Sequence, residues 1–147
     1  MSMWTDRDKA LDELVAHEEG IKFQRLGVLL AKQRWPELIA SEPKKDMGLD
    51  GYLPAPLAAD GVGKGLACSL TASLAKLKQD IQRFRPHFKD VKYLLFATAR
   101  KVSMIEKTKW AEEVTKEYGI ELTILSREDI VSELMRPSNL SICRYLL

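Results

Sequence analysis

Apolar residues recur at spacings of three and four through Leu11, Leu14 and Val15, and the stripe resumes at Ile21, Phe23, Leu26, Leu29 and Leu30 before ending at Trp35. That rhythm is one face of an α-helix. It predicts helix from about residue 6 to residue 35, with Thr5 as N-cap, Gly20 dividing a short helix from a longer one, and Pro36 as the stop. The period then changes. Residues 37–41 and 49–53 read as short strands joined by a polar turn at 42–45. A loop rich in Pro, Ala and Gly spans 54–65, with a hairpin turn over Asp60, Gly61, Val62 and Gly63, and residues 66–70 form the returning strand.

Leu74, Leu77, Ile81 and Phe84 restore helical spacing as far as Arg85, with Ser69 or Thr71 as the expected cap and Pro86 as the stop. From Val91, the run Tyr93, Leu94, Leu95, Phe96, Ala97 and Thr98 is almost continuously apolar, as a central strand covered on both faces would be. Residues 107–118 form a helix closed by Gly119, and residues 120–125 are rich in β-formers. Ser126 caps a last helix containing Ile130, Val131 and Leu134, which stops before Pro137. Because a helix between two strands favours a parallel crossover, the expected fold is α/β, with a mixed central sheet of about five strands and helices on both faces.

Length places residues 1–147 in one domain able to bury about two thirds of its unfolded surface. With 46% hydrophobic and 30% charged residues the composition is that of a globular protein, and no apolar run nears the roughly 20 residues of a membrane span. The start, Trp4 followed by Asp6, Arg7 and Asp8, lacks the basic-then-apolar order of a secretory signal, so the expected address is cytoplasmic, with no membrane partner. The apolar ending from Ile142 to Leu147 reads as a cut from a longer polypeptide of which this is the N-terminal part.

A net charge of +2 is too small for nucleic-acid binding by bulk charge. The basic residues cluster as Lys76, Lys78, Arg83, Arg85, Lys89 and as Arg100, Lys101, Lys107, Lys109, and such runs are first read as solvated helix faces. Cys68 and Cys143 stand far apart and read as buried thiols, not a disulfide or a zinc pair. His17 and His87 lie on different elements, Ser69 and Ser73 lack a histidine partner, and Gly61, Gly63 and Gly65 lead into no phosphate-binding helix. Phe23, Trp35 and Trp110 fall among aliphatics as core residues.

Metal-dependent phosphodiester cleavage requires acidic oxygens to hold a divalent cation and a positive group beside the phosphate. Asp46 and Asp50 are two carboxylates four residues apart around Gly48 at the mouth of a strand, a spacing that also serves a plain turn. Together with the order of elements, these residues resemble the PD-(D/E)XK nuclease superfamily, in particular its Mrr-like restriction-endonuclease branch, over nearly the whole chain. Gly20, Ile21, Lys22, Phe23 and Gln24 look like its first core helix, with Gln24 where the family often has Glu; Asp46, Gly48, Asp50 and Gly51 resemble its DxGxDG-like strand.

The resemblance identifies Asp50 as the metal-binding aspartate and implies a restriction-endonuclease-like fold. On the next strand the family places an acid, a spacer and a lysine, where this chain has Ala67, Cys68 and Ser69. Some members carry Ser there and move the lysine to the following helix, which makes Lys76 the matching residue; its long flexible stem can reach one spot from different backbone origins. The implied site has Asp50 and Lys76 as catalytic residues. Asp50 and the Cys68 carbonyl would hold Mg²⁺ or Mn²⁺ weakly and with help from substrate, supported by Glu19, Gln24, Asp46 and Ser69. The implied function is a metal-dependent DNA endonuclease, an effector of a defence-type protein, able to work as a homodimer. The alternative is an inactive nuclease-fold module that binds nucleic acid or a partner protein, and a third reading is an interaction domain unrelated to nucleic acid.

Overall fold

A computed structural model describes residues 3–41 and 47–146. The chain opens with two helices, α1 (Met3–Ala16) and α2 (Gly20–Arg34), followed by strands β1 (Ile39–Ala40), β2 (Gly51–Leu53) and β3 (Gly63–Ser69). Then come α3 (Leu74–Phe84), β4 (Val91–Thr98), α4 (Met104–Tyr118), β5 (Glu121–Leu125), α5 (Arg127–Leu134) and α6 (Leu140–Leu146), with short 3₁₀ turns at Ala55–Leu57 and Pro137–Asn139. The five strands form one sheet in the order β1-β2-β3-β4-β5. Neighbours are antiparallel from β1 to β3 and parallel from β3 to β5, so the expected mixed sheet is present.

Alternation along the strands divides the core in two. Leu66, Leu95, Ala97 and Leu125 turn towards Leu11, Leu26, Leu30, Ile130 and Ile142, on the side of α1, α2, α5 and α6. Ala67, Leu94, Phe96, Leu122 and Ile124 face Leu77, Ile81, Phe84, Trp110 and Val114 of α3 and α4. Each large aliphatic or aromatic side chain so buried contributes about 1.5–3 kcal/mol. Phe23 and Trp110 are core residues, and Trp35 meets Tyr93 edge-on with ring centroids 5.6 Å apart. No helix among the described residues is long and apolar enough to cross a membrane.

Several boundaries differ from expectation. Helix α1 begins at Met3, so Thr5 lies inside its first turn and is not the cap. Helix α3 is capped by Ser73, whose side chain accepts the Lys76 N–H, and not by Ser69 or Thr71. Strand β3 begins at Gly63, inside the expected 54–65 loop, because it pairs with β2 and β4 from there on, and it ends at Ser69. Helix α4 starts at Met104 through a capping box between Ser103 and Glu106. Helix α6 was not foreseen; it buries Ile142 and Cys143 in the α1–α2 face. The expected polar turn at 42–45 lies outside the described residues.

Candidate active site

Asp50 stands just before β2, where that strand's antiparallel pairing with β3 begins. Its backbone N–H donates to the Leu66 carbonyl (2.7 Å), and its own carbonyl accepts the Ser41 N–H (3.0 Å). The half-buried carboxylate accepts the Cys68 N–H through Oδ2 at 2.6 Å. The Ser69 carbonyl faces the other way and accepts the Ala99 N–H beyond β4 (3.3 Å). Since the N–H and C=O of one strand residue face the same neighbour, the Cys68 carbonyl faces the Asp50 side together with its N–H. The Cys68 thiol lies against α2, where a Cβ on Gly27 would come within 2.4 Å of Sγ. Burial, aided by the negative charge of Asp50, pushes this thiol well above its usual pKa and keeps it neutral.

The turn before Asp50 leans on α3. Gly48 has φ +85°, and a Cβ there would lie 2.5 Å from the Asp80 carbonyl oxygen and 3.1 Å from the Phe84 nitrogen. Leu49 joins Ala67, Leu77, Ile81 and Phe84 in the core on the α3 side. Lys76 lies in the first turn of the same helix, half-exposed, and its Nζ donates to Asp80 Oδ1 at 3.1 Å. The Asp80 side chain is only 8% exposed, a buried carboxylate with a pairing ammonium at its mouth. Thus Lys76 and Asp80 belong to the helix against which the Asp50 turn packs. Asp80, which sequence reasoning did not single out, places its carboxylate on the apolar stripe of α3 between Leu77, Ile81 and Phe84.

The remaining expected residues divide. Gln24 is half-buried on α2 and shares a shallow, largely apolar depression with Ala40 and Ser41 at the β1 edge, on the helix that covers the face opposite α3. Glu19 is exposed at the N-cap of α2 with no capping bond from its side chain, beside Glu18, Lys22 and Arg25 on the surface. Ser69 is half-buried at the end of β3, and Asp46 lies outside the described residues. Ala67 is buried, and β3 carries no carboxylate at the position where the resemblance implied one.

Much of the basic sequence is committed to structure. Lys78 bridges Glu113 (2.8 Å) and Glu117 (2.9 Å) of α4, and those two carboxylates hold its pKa well above the ordinary lysine value. The Arg85 guanidinium lies 5.2 Å from the Tyr118 ring centroid, and Lys107 pairs with Asp129 at 2.5 Å. Lys64 is buried and held by Asp60 at 2.8 Å, at the β2–β3 hairpin and away from Asp50.

Asp50, Asp80 and the Cys68 carbonyl are the oxygens carried by the elements that meet here, and both carboxylates are already engaged, Asp50 by the Cys68 N–H and Asp80 by Lys76. No group of three or more His, Cys, Asp or Glu side chains able to hold a metal occurs among the described residues. This donor set suits a hard ion that takes one or two protein carboxylates and completes its shell with phosphate and water, and does not suit a closed protein cage. Comparison with protein-family models, curated proteins and solved structures found no match to this chain.

Proposed function

We propose that this chain is a metal-dependent DNA endonuclease domain of the PD-(D/E)XK type, with its site at the mouth of β2. The observation that carries the reading is the packing of the Asp50 turn, through Gly48, onto the helix that bears Lys76 and Asp80. A three-strand antiparallel meander followed by parallel strands agrees with a restriction-endonuclease-like fold. Asp80 supplies, from α3, the second carboxylate missing at Ala67. A bound Mg²⁺ or Mn²⁺ would polarise the phosphate and lower the pKa of a water.

The chain's own residues then have distinct tasks. Asp50 is fixed by the Cys68 N–H, so one carboxylate oxygen is oriented before substrate arrives. Lys76 is half-exposed, and its ammonium has three donors, so it can reach a phosphate oxygen while one of them stays on Asp80. Phosphate contacts of this kind are sequence-independent.

Supercoiled plasmid incubated with Mg²⁺ or Mn²⁺ tests the reading. The wild-type chain should nick or linearise it, while Asp50→Asn and Lys76→Met should each lose nearly all cutting yet remain folded. An intact plasmid that is nevertheless shifted in a salt-dependent way would support the inactive DNA-binding module instead. The missing acid at Ala67 is the observation that favours that second reading.

A further inference from the structure

A second cleft, about 270 Å³ in volume, opens beyond the C-terminal ends of β3 and β4, between Leu70 and Thr71 on one side and Arg100, Lys101 and Arg127 on the other. Ligands of open α/β sheets commonly bind in this crevice beyond the carboxyl ends of parallel strands. Three cations and no carboxylate line it. Arg100 is held by its Nη1 bond to the Ala72 carbonyl (2.6 Å), and Arg127 by its Nε bond to the Ala99 carbonyl (2.9 Å). The acids facing these arginines are Glu106 at 3.6 Å from Arg100, and Asp12 at 2.6 Å and Asp8 at 3.8 Å from Arg127. Each guanidinium has five N–H donors, so both keep some for a ligand. Lys101 is exposed and has no ion-pair partner among the described residues.

We infer that this cleft seats a phosphate of the DNA backbone, on the same strand as the one at Asp50 and Lys76; the assignment rests on the nuclease-site reading. Its position fits. Thr71 follows Cys68 by three residues, at most about 10 Å of chain at about 3.3 Å per residue, with Leu70 and Thr71 in the bend after β3. Duplex DNA rises about 3.4 Å per nucleotide on each strand, so a backbone crossing Asp50 meets the cleft within about three nucleotides. The three cations are donors only, and the Thr71 hydroxyl can donate as well, so the lining matches a phosphodiester and gives position without sequence preference.

The test is fluorescence anisotropy of a labelled short DNA duplex in metal-free buffer over a range of KCl, with the full chain as wild type, Lys101→Glu and Lys109→Glu. Lys109 is exposed on α4 outside the cleft, so its reversal makes the same change in net charge. Lys101→Glu should weaken binding about tenfold or more and flatten the salt dependence by about one unit of slope, while Lys109→Glu changes affinity less than about threefold. Equal effects from the two variants, or none from Lys101→Glu, would overturn the phosphate seat. If Lys101→Glu behaves as expected while Asp50→Asn still cuts plasmid, the seat stands and the catalytic reading falls. If Asp50→Asn abolishes cutting and Lys101→Glu binds like wild type, the seat alone falls. A wild-type chain that does not bind the duplex overturns both.

Discussion

Asp80 occupies a position where the amphipathic spacing of α3 calls for a hydrophobic residue, and it is buried all the same. A carboxylate kept in such a place, with Lys76 across its mouth, is hard to explain by stability, since a well-packed aliphatic side chain usually does as well as an ion pair there. Asp80→Asn should therefore lower cleavage by about 10- to 100-fold. Because the carboxylate is buried, the substitution should also cost about 1–3 kcal/mol in urea denaturation. Asp50 and Lys76 could be picked out from the sequence because a motif and a resemblance pointed to them. Asp80 could not, because its meaning depends on which turn packs against α3, and that contact is made through Gly48.

Tyr52 offers a residue-level test away from the site. Its hydroxyl donates to Asp90 Oδ1 at 2.6 Å, while Asp90 Oδ2 accepts the Ala55 N–H at 2.9 Å. Burial, then the Asp90 hydrogen bond and charge, push the Tyr52 pKa up to about 12. Burial works against the charge on Asp90, yet the Ala55 N–H and the Tyr52 hydroxyl outweigh it and lower that pKa. The folded state thus retains the tyrosine proton that the unfolded chain releases near pH 10, so this contribution is full below that pH and is lost as pH rises towards about 12. The Asp90 contribution has the opposite sign: present above the ordinary aspartate range, it is lost as pH falls through the lowered pKa. Denaturation midpoints of Tyr52→Phe should be lower than wild type by about 1 kcal/mol at pH 8. They should then decline less steeply than wild type above pH 10, and parallel curves would show that Tyr52 does not titrate as described.

Among the elements, two glycines carry the geometry. In an exposed helix, alanine in place of glycine stabilises by about 1 kcal/mol. Gly27→Ala should do the reverse, losing about 1–3 kcal/mol, because the new methyl would meet Cys68 Sγ at the α2–β3 contact. Cys68→Ala should recover part of that loss, and a double-mutant cycle in urea would measure the coupling. Gly48→Ala faces both a positive φ and the Asp80 backbone, so it should cost about 2 kcal/mol or more and displace Asp50 from its place beside α3.

Helices and strands were largely legible because their periods differ: α2 and α3 show three-and-four spacing, and β4 is continuously apolar. Caps were less so. Ser69, Thr71 and Ser73 are chemically equivalent candidates, and only the length of β3, set by its pairing with β4, decides for Ser73. Helix α6 escaped because its residues are few and Ile142 and Cys143 have no periodic continuation; their partners are on α1, α2 and α5.

At the scale of the molecule, the sheet order sets what can meet. Antiparallel β2 pairs with Lys64, Gly65 and Leu66 of β3, and parallel β4 leaves α3 to cross one face, so the mouth of β2 lies beside Leu66 and Cys68 while the turn before it rests on the second half of α3. The mixed sheet and its two core faces were legible from the alternation of elements. The spending of Lys78, Arg85 and Lys107 on contacts with α4 and α5 was not, because it depends on how the helices lie on the sheet.

If this region collects a divalent cation with Asp50 as its anchor, amide NMR spectra recorded during Mn²⁺ titration in the presence of a DNA duplex will show it. The Asp50, Cys68 and Asp80 amides should broaden first in the wild-type chain, and Asp50→Asn should abolish that local effect without altering the rest of the spectrum. Broadening centred elsewhere, or unchanged by Asp50→Asn, would contradict the claim.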